Sequence, residues 1–295
     1  MEIKKYAAID IGSNAVRVLI ANVVEVEQHP PKFMKSSMVR VPIRLGEDSF
    51  TVGEISAKNI KRMVKAMKAF KLIMQVNNVT HYMACATSAL REANNAHEVV
   101  DVVAKKTGIH IDVIDGKREA EIISTTNIFD FIQRDRTFLY VDVGGGSTEF
   151  SVLVKGERVA SKSFKIGTVR MINNLVSAKV WDEIEAWITE QIEGKGKIAL
   201  LGSGGNINKL FKLSKVKEGR PLTLIKLNTL YNKLSALSYE ERIMQLELNP
   251  DRSDVIIPAL QIYLKALKWS NSTEVYVPKI GLSDGMIKVL YQEHS

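Results

Sequence analysis

Apolar residues along this chain follow two rhythms, and the points where one gives way to the other predict its elements. Short alternating or β-branched runs read as strands at Tyr6–Ile9, Val16–Val24, Phe33–Ile43, Val79–Cys85, His110–Ile114, Thr137–Val141, Phe150–Val154, Arg158–Phe164, Ile198–Leu201 and Glu274–Val277. Longer stretches with a period near 3.6 read as helices over residues 56 to 76, 96 to 107, 168 to 176 and 179 to 193, with another opened by Gly116. Further helices are predicted from Gly202–Asn206 to Leu213, from a cap at Arg252-Ser-Asp254 to Trp269, and after Gly281-Leu-Ser-Asp-Gly285 at the end of the chain. In the helix over 56 to 76, Ile60, Met63, Val64, Met67, Phe70 and Met74 form the apolar stripe. Lys58, Lys61, Lys65 and Lys68 lie opposite and read as a solvated face. The first three strands predict an antiparallel sheet.

Glycine interrupts these rhythms in a way that suggests chemistry. Asp142-Val-Gly-Gly-Gly-Ser-Thr-Glu149 joins two predicted strands, and a turn without side chains can bring backbone N–H groups against an anion. Two carboxylates beside a phosphate require a divalent cation between them, so Asp142 and Glu149 predict Mg²⁺ as well as phosphate. A tight hairpin that needs glycine only for positive φ is the plainer alternative. A second copy weighs against it: Asp10-Ile-Gly-Ser-Asn-Ala-Val-Arg17 also joins two strands, and aligning Asp10 with Asp142 puts Gly12 on Gly144. Gly202-Ser-Gly-Gly-Asn206 is a third such turn and a weak signal by itself.

Other candidates keep two readings. Thr87 and Ser88 open a helix carrying Arg91, either as an anion-binding helix start or as a capped structural helix with an exposed arginine. Glu119 and Glu121 fall in the first turns of the helix opened by Gly116, as a catalytic carboxylate or, more plainly, as partners of the helix dipole. The basic positions 209, 212, 215, 217, 220 and 226 read as flexible surface or as charge that steers a phosphate chain. Histidines 29, 81, 97, 110 and 294 show no metal-ligand spacing, and Ser203 has no assignable histidine partner for nucleophilic catalysis.

The 295 residues exceed what a single core usually supports, which agrees with the repeat in predicting two domains. No segment is apolar over the length of a bilayer, so no membrane partner is expected. The single cysteine, Cys85, excludes an intrachain disulfide framework, and together with an N-terminus that runs straight into a strand it predicts a soluble protein of the reducing cytoplasm. A net charge of +8 makes a polyanion the expected partner; nucleic acid is the weaker choice, because the 7% of aromatic residues are not interleaved with the basic ones.

Taken together, these segments resemble the exopolyphosphatase and guanosine pentaphosphate phosphatase family of the actin-like ATPase superfamily. The first phosphate loop resembles Asp10–Arg17, the next signature Ala86-Thr-Ser-Ala-Leu-Arg-Glu92, and the second phosphate loop Asp142–Glu149. Gly202–Asn206, Asp251-Arg-Ser-Asp-Val-Ile256 and Gly281–Gly285 resemble the later segments, in the same order. The resemblance implies an α/β fold of two ribonuclease-H-like domains with a cleft between them, residues 1–126 and 127–295, the final helix at 283–295 returning to the first. It implies hydrolysis of a terminal phosphoanhydride of inorganic polyphosphate or guanosine pentaphosphate, with Glu119 as base on water and Arg91 on the phosphoryl oxygens. Phosphate contacts would come from Gly12, Ser13, Asn14, Arg17, Gly144, Gly145, Gly146, Ser147, Thr148, Gly204, Gly205 and Arg252. Mg²⁺, or Mn²⁺ in its place, would be held by Glu149 with Asp142 or Asp10. Arg118 replaces the first glutamate of the family's Gly-x-Glu-Glu-Ala pattern, which changes the charge met by the substrate. A homodimer is compatible with all of this, as are two rivals: an ATP-dependent kinase of the same superfamily and a sensor that binds without turnover.

Overall fold

A computed structural model describes residues 1–126 and 136–295. It divides into two compact units, Met1–Thr126 with Leu282–Ser295, and Asn127–Gly281.

The first unit opens with an antiparallel meander, β1 (Glu2–Ile11), β2 (Ala15–Glu25) and β3 (Lys32–Pro42). β1 starts four residues before its apolar run because Lys4 pairs with Glu25 of β2 at 3.1 Å, a cross-strand ion pair that hydrophobic periodicity does not register. There follow α1 (Leu45–Thr51), α2 (Ala57–Val76), β4 (His81–Ala86), α3 (Ser88–Glu92), α4 (Ala96–Thr107), β5 (Asp112–Val113) and α5 (Gly116–Ser124). β4 lies parallel to β1, and β5 parallel to β4, giving the order β3-β2-β1-β4-β5. The strand expected over His110–Ile114 shrinks to Asp112–Val113, because only these two residues pair with β4. α1 was not foreseen: it spans only 7 residues, too short for a 3.6 period to show.

The second unit repeats the plan. β6 (Thr137–Val143), β7 (Thr148–Val154) and β8 (Glu157–Phe164) form another antiparallel meander. α6 (Thr168–Ile172), α7 (Ala178–Ile192), β9 (Ile198–Ser203), α8 (Gly205–Ser214), β10 (Leu222–Thr223), α9 (Leu224–Ser235), α10 (Tyr239–Leu246), α11 (Pro250–Ser253), α12 (Ile256–Trp269) and β11 (Glu274–Tyr276) complete it. β9 runs parallel to β6, as β4 does to β1, and the sheet order is β10-β11-β9-β6-β7-β8. The central strands are buried on both faces, which is why they read as nearly continuous apolar runs. The second core gathers Leu139, Val141, Val152 and Leu200 with Tyr263 and Leu267 of α12; the first gathers Ile9, Ile11 and Val18 with Met63, Met67 and Phe70 of α2.

Two boundaries correct the sequence reading. Arg252-Ser-Asp254 does not cap α12: Arg252 and Ser253 belong to α11, and α12 begins after Val255 without a side-chain cap. The final helix α13 (Leu282–His294) starts earlier than expected and takes Gly285 into its body. There a Cβ would sit 2.2 Å from the Ile122 carbonyl oxygen of α5, so glycine is required by the closeness of two helices and not by a turn.

Candidate active site

The loop between β6 and β7 is shaped by its carbonyls. The Gly144 oxygen accepts from the Thr168 amide at 3.0 Å, the Gly145 oxygen from Val169 at 2.8 Å, and the Gly146 oxygen from Arg170 Nε at 2.7 Å, all at the start of α6. In a trans peptide the C=O and the following N–H point in opposite directions. Holding these three oxygens on α6 therefore directs the N–H groups of Gly145, Gly146 and Ser147 to the other side. Among the described residues none of those three N–H groups has a protein acceptor. Successive backbone donors aimed one way and lacking an acceptor form an anion-binding concavity.

The sheet register places a row of polar residues beside this loop. Ser203, Asp142, Glu149 and Ser163 stand opposite one another across β9, β6, β7 and β8, on one face of the sheet. Glu149 is 3% exposed, and its Oε1 accepts from Ser147 Oγ at 2.7 Å and Ser163 Oγ at 2.8 Å. The half-buried Asp142 accepts from the Tyr140 hydroxyl at 3.4 Å. The phenols of Tyr140 and Tyr263 are pushed well above their ordinary range, first by burial and then by the charge of Asp142. The Tyr263 hydroxyl lies 2.7 Å from the Ser203 carbonyl and 3.0 Å from that of Val141, tying the third glycine turn to β6.

In that turn Gly204 has φ +101°, and a Cβ there would come within 3.1 Å of Asp142 Oδ1. Arg252 reaches the same turn, its Nη1 donating to the Gly205 carbonyl. Lys209, one turn along α8, donates to the Glu247 carbonyl at 3.2 Å. Its ammonium is pushed down, first by burial and then by Lys212 and Arg252. Thr148 is fully buried, and its hydroxyl donates to the Ile166 carbonyl at 2.7 Å, so the side chain holds β8's exit in place.

The first unit builds a related loop with different side chains. The Ser13 carbonyl accepts from Gly46 N at 2.8 Å and that of Asn14 from Arg44 N at 3.0 Å, as the second loop does from α6. Ser13 Oγ and Ser88 Oγ are 2.9 Å apart, linking the loop to α3. The register sets Arg17 opposite Asp10, and Arg17 Nε lies 2.9 Å from Asp10 Oδ2. The guanidinium expected on phosphate and the carboxylate expected on metal thus face each other in this structure.

Arg91 and Glu119 do come together. Arg91 Nη1 donates to the Ile114 carbonyl at 2.7 Å and lies 4.0 Å from Glu119 Oε2. Asp115 caps α5 by accepting from the Arg118 amide at 2.7 Å, fixing where the first turn presents Glu119, which is 8% exposed. Arg118 and Glu121 pair with each other at 3.4 Å on the exposed side of the helix.

Sequence reasoning missed Gly46, Gly167, Arg170 and Ser163. A Cβ on Gly46 would come within 2.9 Å of Ser13 Cβ, and one on Gly167 within 2.4 Å of Gly145. The signal was present: Leu45-Gly46 and Ile166-Gly167 each follow the third strand of a repeat.

A meander, a glycine loop after the first strand and a parallel fourth strand, repeated in two units, define the two-domain α/β fold of the actin-like ATPases. The family model described as the Ppx/GppA phosphatase family matches residues 22–294, and the chain belongs to that family. It is 26% identical over 197 residues to Exopolyphosphatase 1 of Mycobacterium leprae, covering 67% of this chain and 53% of that protein. It is also 30% identical over 278 residues to the bifunctional 3-dehydroquinate synthase/phosphatase of Fusobacterium nucleatum, covering 85% of this chain and 41% of that protein. The chain thus spans about half the length, or less, of these curated relatives. The crystal structure of an exopolyphosphatase from Cytophaga hutchinsonii matches with a TM-score of 0.83 at 23% identity, covering 99% of both chains, and shares the fold. Among the described residues no helix is long and apolar enough to cross a membrane.

Proposed function

We propose that this protein hydrolyses the terminal phosphoanhydride of inorganic polyphosphate and releases phosphate. The observation that carries the reading is the set of N–H groups at Gly145, Gly146 and Ser147, turned to one side and without acceptors among the described residues. Sequence likeness to a protein named exopolyphosphatase supports the same reading.

The glycine loop between β6 and β7 grips phosphoryl oxygens through its amides. Glu119 is the base: it takes a proton from the water whose oxygen bonds to phosphorus, while the bridging P–O bond breaks and its electron pair leaves with the shortened chain. Arg91, anchored at the Ile114 carbonyl through one arm of its fork, keeps positive charge beside Glu119 and offers its remaining donors to phosphoryl oxygens.

Asp142 and Glu149, adjacent on β6 and β7, are the hard oxygen donors that suit Mg²⁺ or Mn²⁺. Mg²⁺ is commonly held by one or two carboxylates, and these two would hold it. When bound, such an ion supplies positive charge to the phosphoryl group.

The net charge of +8 favours a long polyanion over a nucleotide. Phosphate release from polyphosphate and from guanosine pentaphosphate, measured under one set of conditions, tests this. A higher kcat/KM on polyphosphate, falling with added salt, is the expected result. A higher value on the nucleotide, transfer to an acceptor in place of water, or binding without release would each replace the reading.

A further inference from the structure

Three carbonyl oxygens of the second glycine loop face α6, and they are not held alike. Those of Gly144 and Gly145 are held by the backbone amides of Thr168 and Val169, which any residue but proline supplies. That of Gly146 is held by a side chain, Arg170 Nε at 2.7 Å. Arg170 is 8% exposed, at a depth where arginine is seldom found unless its charge or donors are used.

Peptide geometry says what this bond does. The Gly146 carbonyl shares its plane with the Ser147 N–H, pointing the other way. Gly146 has no side chain to restrict its ψ, so the orientation of that plane depends on what holds the oxygen. Ser147 in turn donates its hydroxyl to Glu149 Oε1 at 2.7 Å, so one residue joins the loop's last N–H to the carboxylate beside it. Gly167 is the companion requirement, because a Cβ there would sit 2.4 Å from Gly145 and push α6 away from the loop.

We propose that Arg170 is a positioning residue of the phosphate site: by holding the Gly146 oxygen it turns the Ser147 N–H to the same side as those of Gly145 and Gly146. The role rests on the phosphate-hydrolase reading above. Arg170 acts through the loop and not on the substrate, so it governs phosphate affinity more than the chemical step.

The test uses the full chain, with inorganic phosphate as the probe, followed by the backbone amide resonances of Gly145, Gly146 and Ser147 and by steady-state kinetics on polyphosphate. In the wild type all three amides shift on titration. Arg170→Met keeps most of the side-chain volume and removes the donor. It should lose the Ser147 shift, bind phosphate about tenfold more weakly and raise KM by a similar factor with little change in kcat. Arg170→Gln places an amide nitrogen on Cδ, where Nε stood, and should keep the Ser147 shift with affinity within about threefold of wild type. Wild-type binding by a folded Arg170→Met variant overturns the proposal, and so does an Arg170→Gln variant as weak as Arg170→Met. Should Arg170→Met not fold, Arg170→Gln decides alone, loss of its Ser147 shift being the adverse result. A wild type in which none of the three amides responds overturns the phosphate reading itself, which separates the two failures.

Discussion

Arg17 stands across from Asp10 on β1 and β2 where, in the second unit, Glu149 stands across from Asp142 on β6 and β7. The same two positions of a repeated hairpin therefore carry an ion pair in one unit, closed at 2.9 Å, and two carboxylates in the other. The first pairs opposite signs; the second sets two acidic side chains together, an arrangement that suits a cation. Arg17→Ala leaves the 5% exposed Asp10 without its partner and should lower stability by about 1–3 kcal/mol, read as a shift of the denaturant midpoint at constant m-value. An unchanged midpoint would mean that the pair is already solvated.

If Glu149 holds the metal, Glu149→Ala should abolish Mg²⁺-dependent phosphate release, as should excess chelator on the wild type. Ser163→Ala removes one of the two hydroxyl donors on Glu149 Oε1 and should raise the half-saturating Mg²⁺ concentration several-fold while leaving saturated turnover near wild type. Full activity in excess chelator would remove the metal from the account.

Glu119 and Glu121 share α5 but not an environment, one buried near Arg91 and the other paired with Arg118 at the surface. Glu119→Gln should lower kcat by about 10²- to 10⁴-fold with substrate binding retained, and Glu121→Gln should change it little. The reverse pattern would move the base by half a turn of helix.

Gly285 is where α13 touches the helix that carries Glu119. Gly285→Ala puts a carbon 2.2 Å from the Ile122 carbonyl oxygen, and overpacking against backbone should cost about 1–3 kcal/mol. Thermal unfolding measures that loss, and kcat should fall with it because Ile122 lies in the turn after Glu119. A variant with wild-type Tm and kcat would show that the helices separate freely.

The rings of His81 on β4 and His294 at the end of α13 lie 3.8 Å apart. Burial, and after it the neighbouring His294, pushes the His81 imidazole below its ordinary 6.5. A folded value below the unfolded one means that the unfolded chain takes up the proton first, so stability falls as the pH drops below about 6.5 toward the lowered folded value. His294→Asn removes the second cause, so its Tm should fall less than that of the wild type between pH 7.5 and pH 5.5. An equal fall in both would assign the acid sensitivity to other groups.

The strands, the long helices, the two glycine loops and their repetition were legible in the sequence, because periodicity and glycine act over a few neighbouring residues. The three glycines at 144 to 146 located one loop and the alignment of Asp10 with Asp142 the other, while the resemblance gave Glu119 and Arg91 their roles. What the sequence could not determine was which side chains face each other from distant segments. The β1–β2 register pairs Arg17 with Asp10 and the β8 exit takes up the Thr148 hydroxyl, two contacts that a place beside a glycine loop does not reveal. Gly167 and Gly285 look like ordinary glycines until a second backbone is brought against each, and Gly46 until the side chains of Ser13 and Phe50 are. Local preference determined the elements and the loops. Tertiary packing alone decided which carbonyls α6 would hold, and so which way the N–H groups of Gly145, Gly146 and Ser147 point, because a peptide plane is oriented by its partners and not by its own sequence.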